Sequence, residues 1–301
     1  MKNVLQYYYG LTPINLRQKN KNYFFEISKI KYVFLQCNRN IKEITDIYNL
    51  SNSLNRRSIP SHQIILNSNK EIVTYINNVP YILMRIFIKE DELLILNDII
   101  HFEKNAIVSK DYLSLNRNDW YQLWINKIDY FEYQVKQLSK KYPVIQESFA
   151  YFVGLAENAI SLYRMIHIND NNQFVISHKR VNSKDTLFDF YNPLNYIIDN
   201  KVRDASEYFK SLFLSDQEIF NEIIYYFKYS SINDYEARMF FIRMMFPTFY
   251  FDVYEDVITG TYKEKELQKI VILSEKYNLL LRQLYQYLKY KIGMPEIEWL
   301  N

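Results

Sequence analysis

The sequence predicts an α+β chain in two lobes, β-rich over residues 1–88 and mostly α-helical over 89–301. Two observations carry that prediction. Apolar residues alternate with period two before Ile88, and recur with period 3.6 along most of the chain beyond it. The early part also has a fixed order: two strand-like runs, a helical run, then a further set of short strand-like runs separated by turn residues.

Tyr23–Ser28 and Lys31–Cys37 read as strands with a tight break at Lys29-Ile30, which makes a hairpin. A helix follows from Ile41 to about Leu54, with Ile41, Ile44, Ile47 and Leu54 on one face. Gln63–Asn67, Glu71–Ile76 and Tyr81–Ile88 read as three more strands. Asn67-Ser68-Asn69 and Asn77-Asn78 supply turns between them, because Asn tolerates left-handed backbone.

An acidic connector, Glu90-Asp91-Glu92-Leu93, leads into the second lobe. From Asn118 a helix places Trp120, Leu123, Trp124, Ile128, Phe131, Val135 and Leu138 on one side, and Pro143 is expected to stop it. Core packing is the better reading of the two tryptophans. Phe149–Ile166 is a second helix, whose Gly154, Ala156 and Ala159 would let a neighbour approach closely, with Glu157 and Asn158 needing partners if buried. Helical runs return at Glu218–Lys228 and Tyr235–Met245. An aromatic cluster around Pro247 follows, then a last amphipathic helix over Tyr262–Lys291.

Composition excludes several functions. The chain has 301 residues, 49% hydrophobic and 24% charged, with a net charge of +3, so neither a nucleic-acid binder nor a polybasic membrane anchor is expected. No apolar run approaches the roughly 20 residues needed to span a bilayer, and Met1–Gly10 lacks the apolar core of a signal peptide. Cys37 is the single cysteine, which rules out an internal disulfide and reads as a small buried hydrophobe. The four glycines, Gly10, Gly154, Gly260 and Gly293, lie far apart, so no glycine-rich phosphate loop can be built.

The most informative stretch is Gln173–Lys210, QFVISHKRVNSKDTLFDFYNPLNYIIDNKVRDASEYFK. Phe174–Ser177 reads as a strand, His178-Lys179-Arg180 as a polar turn, and Thr186–Phe188 as a second short strand delivering Asp189. After Tyr191-Asn192-Pro193 an amphipathic segment holds Arg203-Asp204.

On these residues the chain resembles the spore coat kinase-like proteins of endospore-forming bacteria, the YutH-like and spore coat protein S-like group. The matching pieces are Gly154–Ile160, Ser177–Arg180, Phe188–Asp199, Val202–Tyr208, Ala237-Arg238, Phe246-Pro247 and Tyr250-Phe251. The resemblance implies a protein-kinase-like two-lobed fold related to aminoglycoside and choline phosphotransferases. It further implies a protein made in the cytoplasm and destined for the spore coat, with other coat proteins as partners. Within that pattern His178 matches the first residue of the catalytic loop and Asp189 the metal-binding acid. Arg180 stands where the acceptor-orienting Asp would be, and Gln36 where a phosphate-contacting Lys would be. Glu43, on the helix that should orient that Lys, is left with no Lys to hold and reads as part of a solvated face. His178 should pack beneath the loop and Asp204 should bond its backbone, both structurally.

The implied function is a structural pseudokinase acting through protein–protein contacts in coat assembly. No catalytic residue is assigned and no cofactor is expected beyond weak ATP–Mg²⁺, with Asp189 the one metal candidate. Phosphoryl transfer depends mainly on positioning and charge, and a donor-only cation at Arg180 cannot take a hydroxyl proton. An atypical small-molecule kinase is the alternative. Lys179 or Arg180 would then hold phosphate, Asp189 would hold Mg²⁺, and Asp185 or Asp199 would serve as base. A nucleotide-binding switch without transfer is the third reading.

Overall fold

The computed structural model describes residues 1–88, 91–108, 112–138, 141–166 and 174–301. Glu90 of the acidic connector and Gln173 at the start of the central stretch lie outside the described residues.

A short amphipathic helix α1 (Lys2–Tyr9) opens the chain and ends on Gly10, whose φ of 66° gives the left-handed cap that an L side chain would resist. Strands β1 (Leu16–Lys19), β2 (Asn22–Ile27), β3 (Ile30–Gln36), β4 (Gln63–Ile65), β5 (Thr74–Ile76) and β6 (Val79–Ile86) form an antiparallel sheet in the order β1-β2-β3-β6-β4, with β5 hairpinned onto β6. Helix α2 (Ile41–Arg56) joins β3 to β4. The β2–β3 turn is Ser28-Lys29 and the β5–β6 turn is Asn77-Asn78. All four residues have positive φ, the two-residue hairpin geometry that matches strand twist.

Alternation sorts this sheet into two faces. Val33, Leu35, Ile82, Met84 and Ile86 turn inward onto Ile44, Ile47 and Leu54 of α2, within a core that runs on through the rest of the chain. Phe25, Phe34 and Leu83 point outward and are covered by Leu5 of α1. Helix α1 was not expected from the sequence; it is short, and Leu5 is its one buried residue.

The remainder is mostly helical: α3 (Leu96–Asn105), α4 (Trp120–Leu138), α5 (Pro143–Met165), α6 (Leu187–Phe190), α7 (Arg203–Leu214), α8 (Phe220–Tyr229), α9 (Asp234–Met245), α10 (Thr248–Ile258), α11 (Lys265–Ile272) and α12 (Ser274–Ile292). Strands β7 (Phe174–His178) and β8 (Tyr196–Asn200) pair antiparallel as a separate small sheet. None of the described helices is long and apolar enough to cross a membrane.

Several elements differ from the sequence reading. Thr186–Phe188 is not a strand: Thr186 caps helix α6 and Asp189 returns the capping bond, a local box that outcompetes extended backbone. The strand lies later, at β8, where all five residues are buried. Pro143 opens α5 at its first turn, where its missing N–H costs nothing. Pro247 likewise precedes a helix, α10, and the final helical run is broken at Leu273. A Cβ at Gly154 would meet open space, so close packing on α5 falls to the fully buried Ala156 and Ala159, while Glu157 and Asn158 are exposed. Trp120 and Trp124 do pack in the core, with Trp124 stacked on Phe246 at 4.2 Å, and Cys37 is buried as expected.

Candidate functional site

The site is built on the β7–β8 pair. β7 ends at His178, and its partner strand runs directly into α7, so the first residues of that helix face back onto the turn after β7. Asp204 accepts from the His178 amide through Oδ1 at 3.0 Å and faces His178 Nδ1 through Oδ2 at 2.6 Å. The other ring nitrogen lies 2.7 Å from the Phe190 carbonyl, and the ring stacks on Phe190 at 4.1 Å. Arg203 donates to the carbonyls of His178 (3.0 Å) and Lys179 (3.2 Å) and to Asp199 Oδ2 (2.6 Å). Asp199 also receives Trp120 Nε1 at 2.8 Å and is completely buried. The partners of this clamp are backbone groups, opposite charges and the Trp120 indole N–H, which leaves its buried ionic groups satisfied. The contacts expected of His178 and Asp204 are observed, Asp204 holding the backbone of the turn and the His178 ring lying buried beneath it.

On the sheet side, β3 ends at Gln36, whose amide donates to Asn22 Oδ1 at 3.3 Å. Three residues on, Arg39 donates to the carbonyls of Leu194 (2.9 Å) and Tyr196 (2.6 Å), tying the start of α2 to the strand β8 region. Glu43 is not on a solvated face. It is buried and pairs with Arg117 at 2.8 Å and with Arg39 at 3.5 Å. Arg39 lies one helical turn before Glu43 and was visible in the sequence. Arg117 arrives from a distant segment, for which no local signal exists.

Arg180 is two-thirds exposed and reaches across the surface to Asp252 of α10 at 3.0 Å. Lys127 of α4 shares that carboxylate at 3.4 Å and also pairs with Glu255 at 3.6 Å. Between these groups lies an open cleft of about 490 Å³, lined by Arg117, Leu123, Lys179, Arg180, Ile197 and Arg203. Partial burial, then the nearby positive charges of Arg39 and Arg117, hold the Lys179 ammonium below the ordinary lysine value.

The acids named from the sequence do not converge. Asp189 is exposed and caps α6, accepting the Thr186 hydroxyl at 2.9 Å. Asp185 accepts the Asn182 amide at 2.7 Å in its own loop, and partial burial pushes its carboxyl up. Asp199 is enclosed in the Arg203 clamp. Among the described residues no three His, Cys, Asp or Glu side chains form a metal-binding group.

Sequence reasoning also missed the contacts that tie the 185–191 segment to the connector and to the sheet. Leu93 and Thr186 form an antiparallel bridge, in which Leu187 N–H donates to the Glu92 carbonyl (2.7 Å) and Leu94 N–H to the Asp185 carbonyl (2.9 Å). The amide of His62, just before β4, donates to the Tyr191 carbonyl at 2.9 Å; its Nε2 lies 3.0 Å from the Phe188 carbonyl. Phe188 in turn packs on Phe24 of β2, ring centroids 5.7 Å apart.

A family model described as "Spore coat putative kinase YutH" matches residues 2–290. The endospore coat-associated protein YutH of Bacillus subtilis (strain 168) is 26% identical over 209 residues, 60% of this chain. The chain spans about 61% of the length of that curated relative. Among solved structures, an aminoglycoside phosphotransferase from Alicyclobacillus acidocaldarius superposes with a TM-score of 0.69 at 9% identity, over 93% of this chain and 94% of the other. A spectinomycin phosphotransferase in complex with AMP gives 0.62 at 12% identity, over 94% and 96%. At such identities the likeness shows the fold: that of the kinase-like phosphotransferases.

Proposed function

This chain belongs to the YutH family of spore coat kinase-like proteins, and we propose that it is a coat-associated structural pseudokinase, working through contacts with other coat proteins. Arg180 carries the reading. By the sequence resemblance it stands where a phosphotransferase would carry an acceptor-orienting carboxylate, and it is engaged in a surface ion pair with Asp252. A guanidinium has five donors and no acceptor, so it cannot receive a hydroxyl proton. Gln36, at the end of β3, supplies no charge to phosphates. Asp189, the remaining candidate for Mg²⁺, is engaged in the α6 cap and belongs to no cluster of three acidic or His ligands among the described residues, and a lone carboxylate holds Mg²⁺ poorly.

Coat association rests on the Bacillus subtilis relative, which is named as coat-associated.

Calorimetry with ATP–Mg²⁺, alongside a turnover assay, tests the proposal. Neither saturable binding at micromolar nucleotide nor phosphate release is expected. Micromolar affinity abolished by Asp189→Ala would make the protein a nucleotide-binding switch. Steady turnover lost in the same variant would make it an enzyme.

A further inference from the structure

The cleft beside the His178 turn has a charge balance that the lost transfer chemistry does not explain. Four cations line it, Arg117, Lys179, Arg180 and Arg203, and a fifth, Arg39, lies within electrostatic reach of Lys179. Among the described residues three carboxylates pair with them: Glu43, shared by Arg39 and Arg117; Asp199, taken by Arg203; and Asp252, shared by Arg180 and Lys127. Lys179 has no ion pair and no hydrogen-bond acceptor for its Nζ among the described residues, with the Glu43 carboxylate acting on it only at longer range; its amide is used, donating to the Asn195 carbonyl at 2.8 Å. The Nη1 of Arg39, on a side chain only 3% exposed, has its ion pair with Glu43 at 3.5 Å but no close hydrogen bond among the described residues.

Crowding like charges beside a buried guanidinium is unfavourable unless something negative offsets it. Around Arg203 the described residues supply it, through Asp199, Glu207 and Asp204; at the Lys179 ammonium they supply no ion pair. We propose that the cleft lined by Arg117, Lys179, Arg180 and Arg203 binds a small multivalent anion of the phosphate class, directly on the cations and without a metal ion. Guanidinium groups suit such an anion because their paired N–H donors match phosphate oxygens, and Arg117 is 38% exposed, so its unpaired donors are within reach of a ligand. Leu123 and Ile197 give the cleft apolar walls, against which the carbon skeleton of a phosphate ester would pack. The arrangement inverts that of a phosphotransferase site: the anion is met by protein cations where a kinase would hold Mg²⁺ between carboxylates and phosphates.

Pyrophosphate in EDTA, titrated calorimetrically into the full chain at low and at physiological ionic strength, is the probe. Saturable binding tighter than about 1 mM at low salt is expected, weakening as salt rises. Lys179→Ala, at an exposed position, should weaken it by about tenfold or more, the worth of one charge-assisted hydrogen bond. Lys269→Ala, on α11 and paired with Glu266, should leave it unchanged. Equimolar Mg²⁺ should weaken binding, since it neutralises the ligand. No saturable binding up to about 10 mM overturns the site, as does an equal loss in both variants. Binding that requires Mg²⁺ overturns the direct contact with cations, and citrate binding more tightly than pyrophosphate overturns the phosphate class. The outcome is separable from the pseudokinase reading. ATP–Mg²⁺ turnover would end that reading and leave this site standing, while failure of pyrophosphate to bind removes only the site.

Discussion

Asp204 holds His178 at two points, the backbone amide at 3.0 Å and the ring at 2.6 Å, and both residues are almost wholly buried. That double contact fixes the end of β7, and with it the direction in which Lys179 and Arg180 leave the sheet. Replacing Asp204 with Ala strands a buried amide and a buried ring nitrogen. The expected cost is about 1–3 kcal/mol of unfolding free energy, read from urea denaturation. An unchanged midpoint would remove the structural role.

Glu43 should prove more costly than a helix-surface acid. Its removal leaves Arg39 buried with its nearest counter-charge gone, and loss of one partner from a buried pair typically costs about 3 kcal/mol or more. Glu43→Ala is therefore expected to destabilise strongly, and Arg117→Ala less, because Arg117 is partly exposed. If Glu43→Ala costs under about 0.5 kcal/mol, as exposed pairs do, the buried assignment is wrong.

His62 makes the stability fall on the acid side. Burial pushes its imidazole down from the ordinary 6.5 to about 4, against the weaker pull of the Phe188 carbonyl. Its Nδ1 has no hydrogen-bond partner among the described residues, so protonation would bury both a charge and an unmet donor. Above pH 6.5 the group is neutral in both states and its contribution is fully present. As the pH falls below 6.5 the unfolded chain takes up a proton that the folded one refuses, and the contribution is gone below about 4. Between pH 7 and pH 5 this amounts to about 2 kcal/mol. His62→Phe should flatten that part of the profile; an equally steep profile in the variant would assign the loss to other groups.

Legibility in the sequence followed the range of the interaction. The β2–β3 and β5–β6 hairpins and helix α2 were readable because period, turn residues and cap all lie within a few positions. The α6 cap was equally local, since Thr186 and Asp189 stand three apart, yet the short apolar run between them invited a strand. Gly10 was likewise a visible stop signal for α1, with too little periodicity before it to define a helix. The clamp on His178 was legible only through family resemblance, because Asp204 lies 26 positions away in sequence. Arg117 on Glu43, 74 positions apart, and Asp252 on Arg180, 72 apart, left no local trace. For the same reason the cationic cleft could not be read as a unit. Arg117, Lys179, Arg180 and Arg203 are scattered in the chain and meet through tertiary packing.

The bridge between Leu93 and Thr186, with the His62 contacts to Tyr191 and Phe188, bears on how the molecule comes apart. One apolar core runs from Val33 and Ile44 through Phe102 to Leu281, so neither half ends in a surface of its own. Pulling the sheet away from the helices would expose that core and sever main-chain bonds at once, leaving no cheap partial melting. Calorimetry should therefore record one endotherm whose van't Hoff and calorimetric enthalpies agree, despite the chain's size. Two resolved endotherms would mean that the halves melt independently. A kinase-like chain that opens and shuts around a nucleotide needs a loose joint; here main-chain bonds and one continuous core cross the joint.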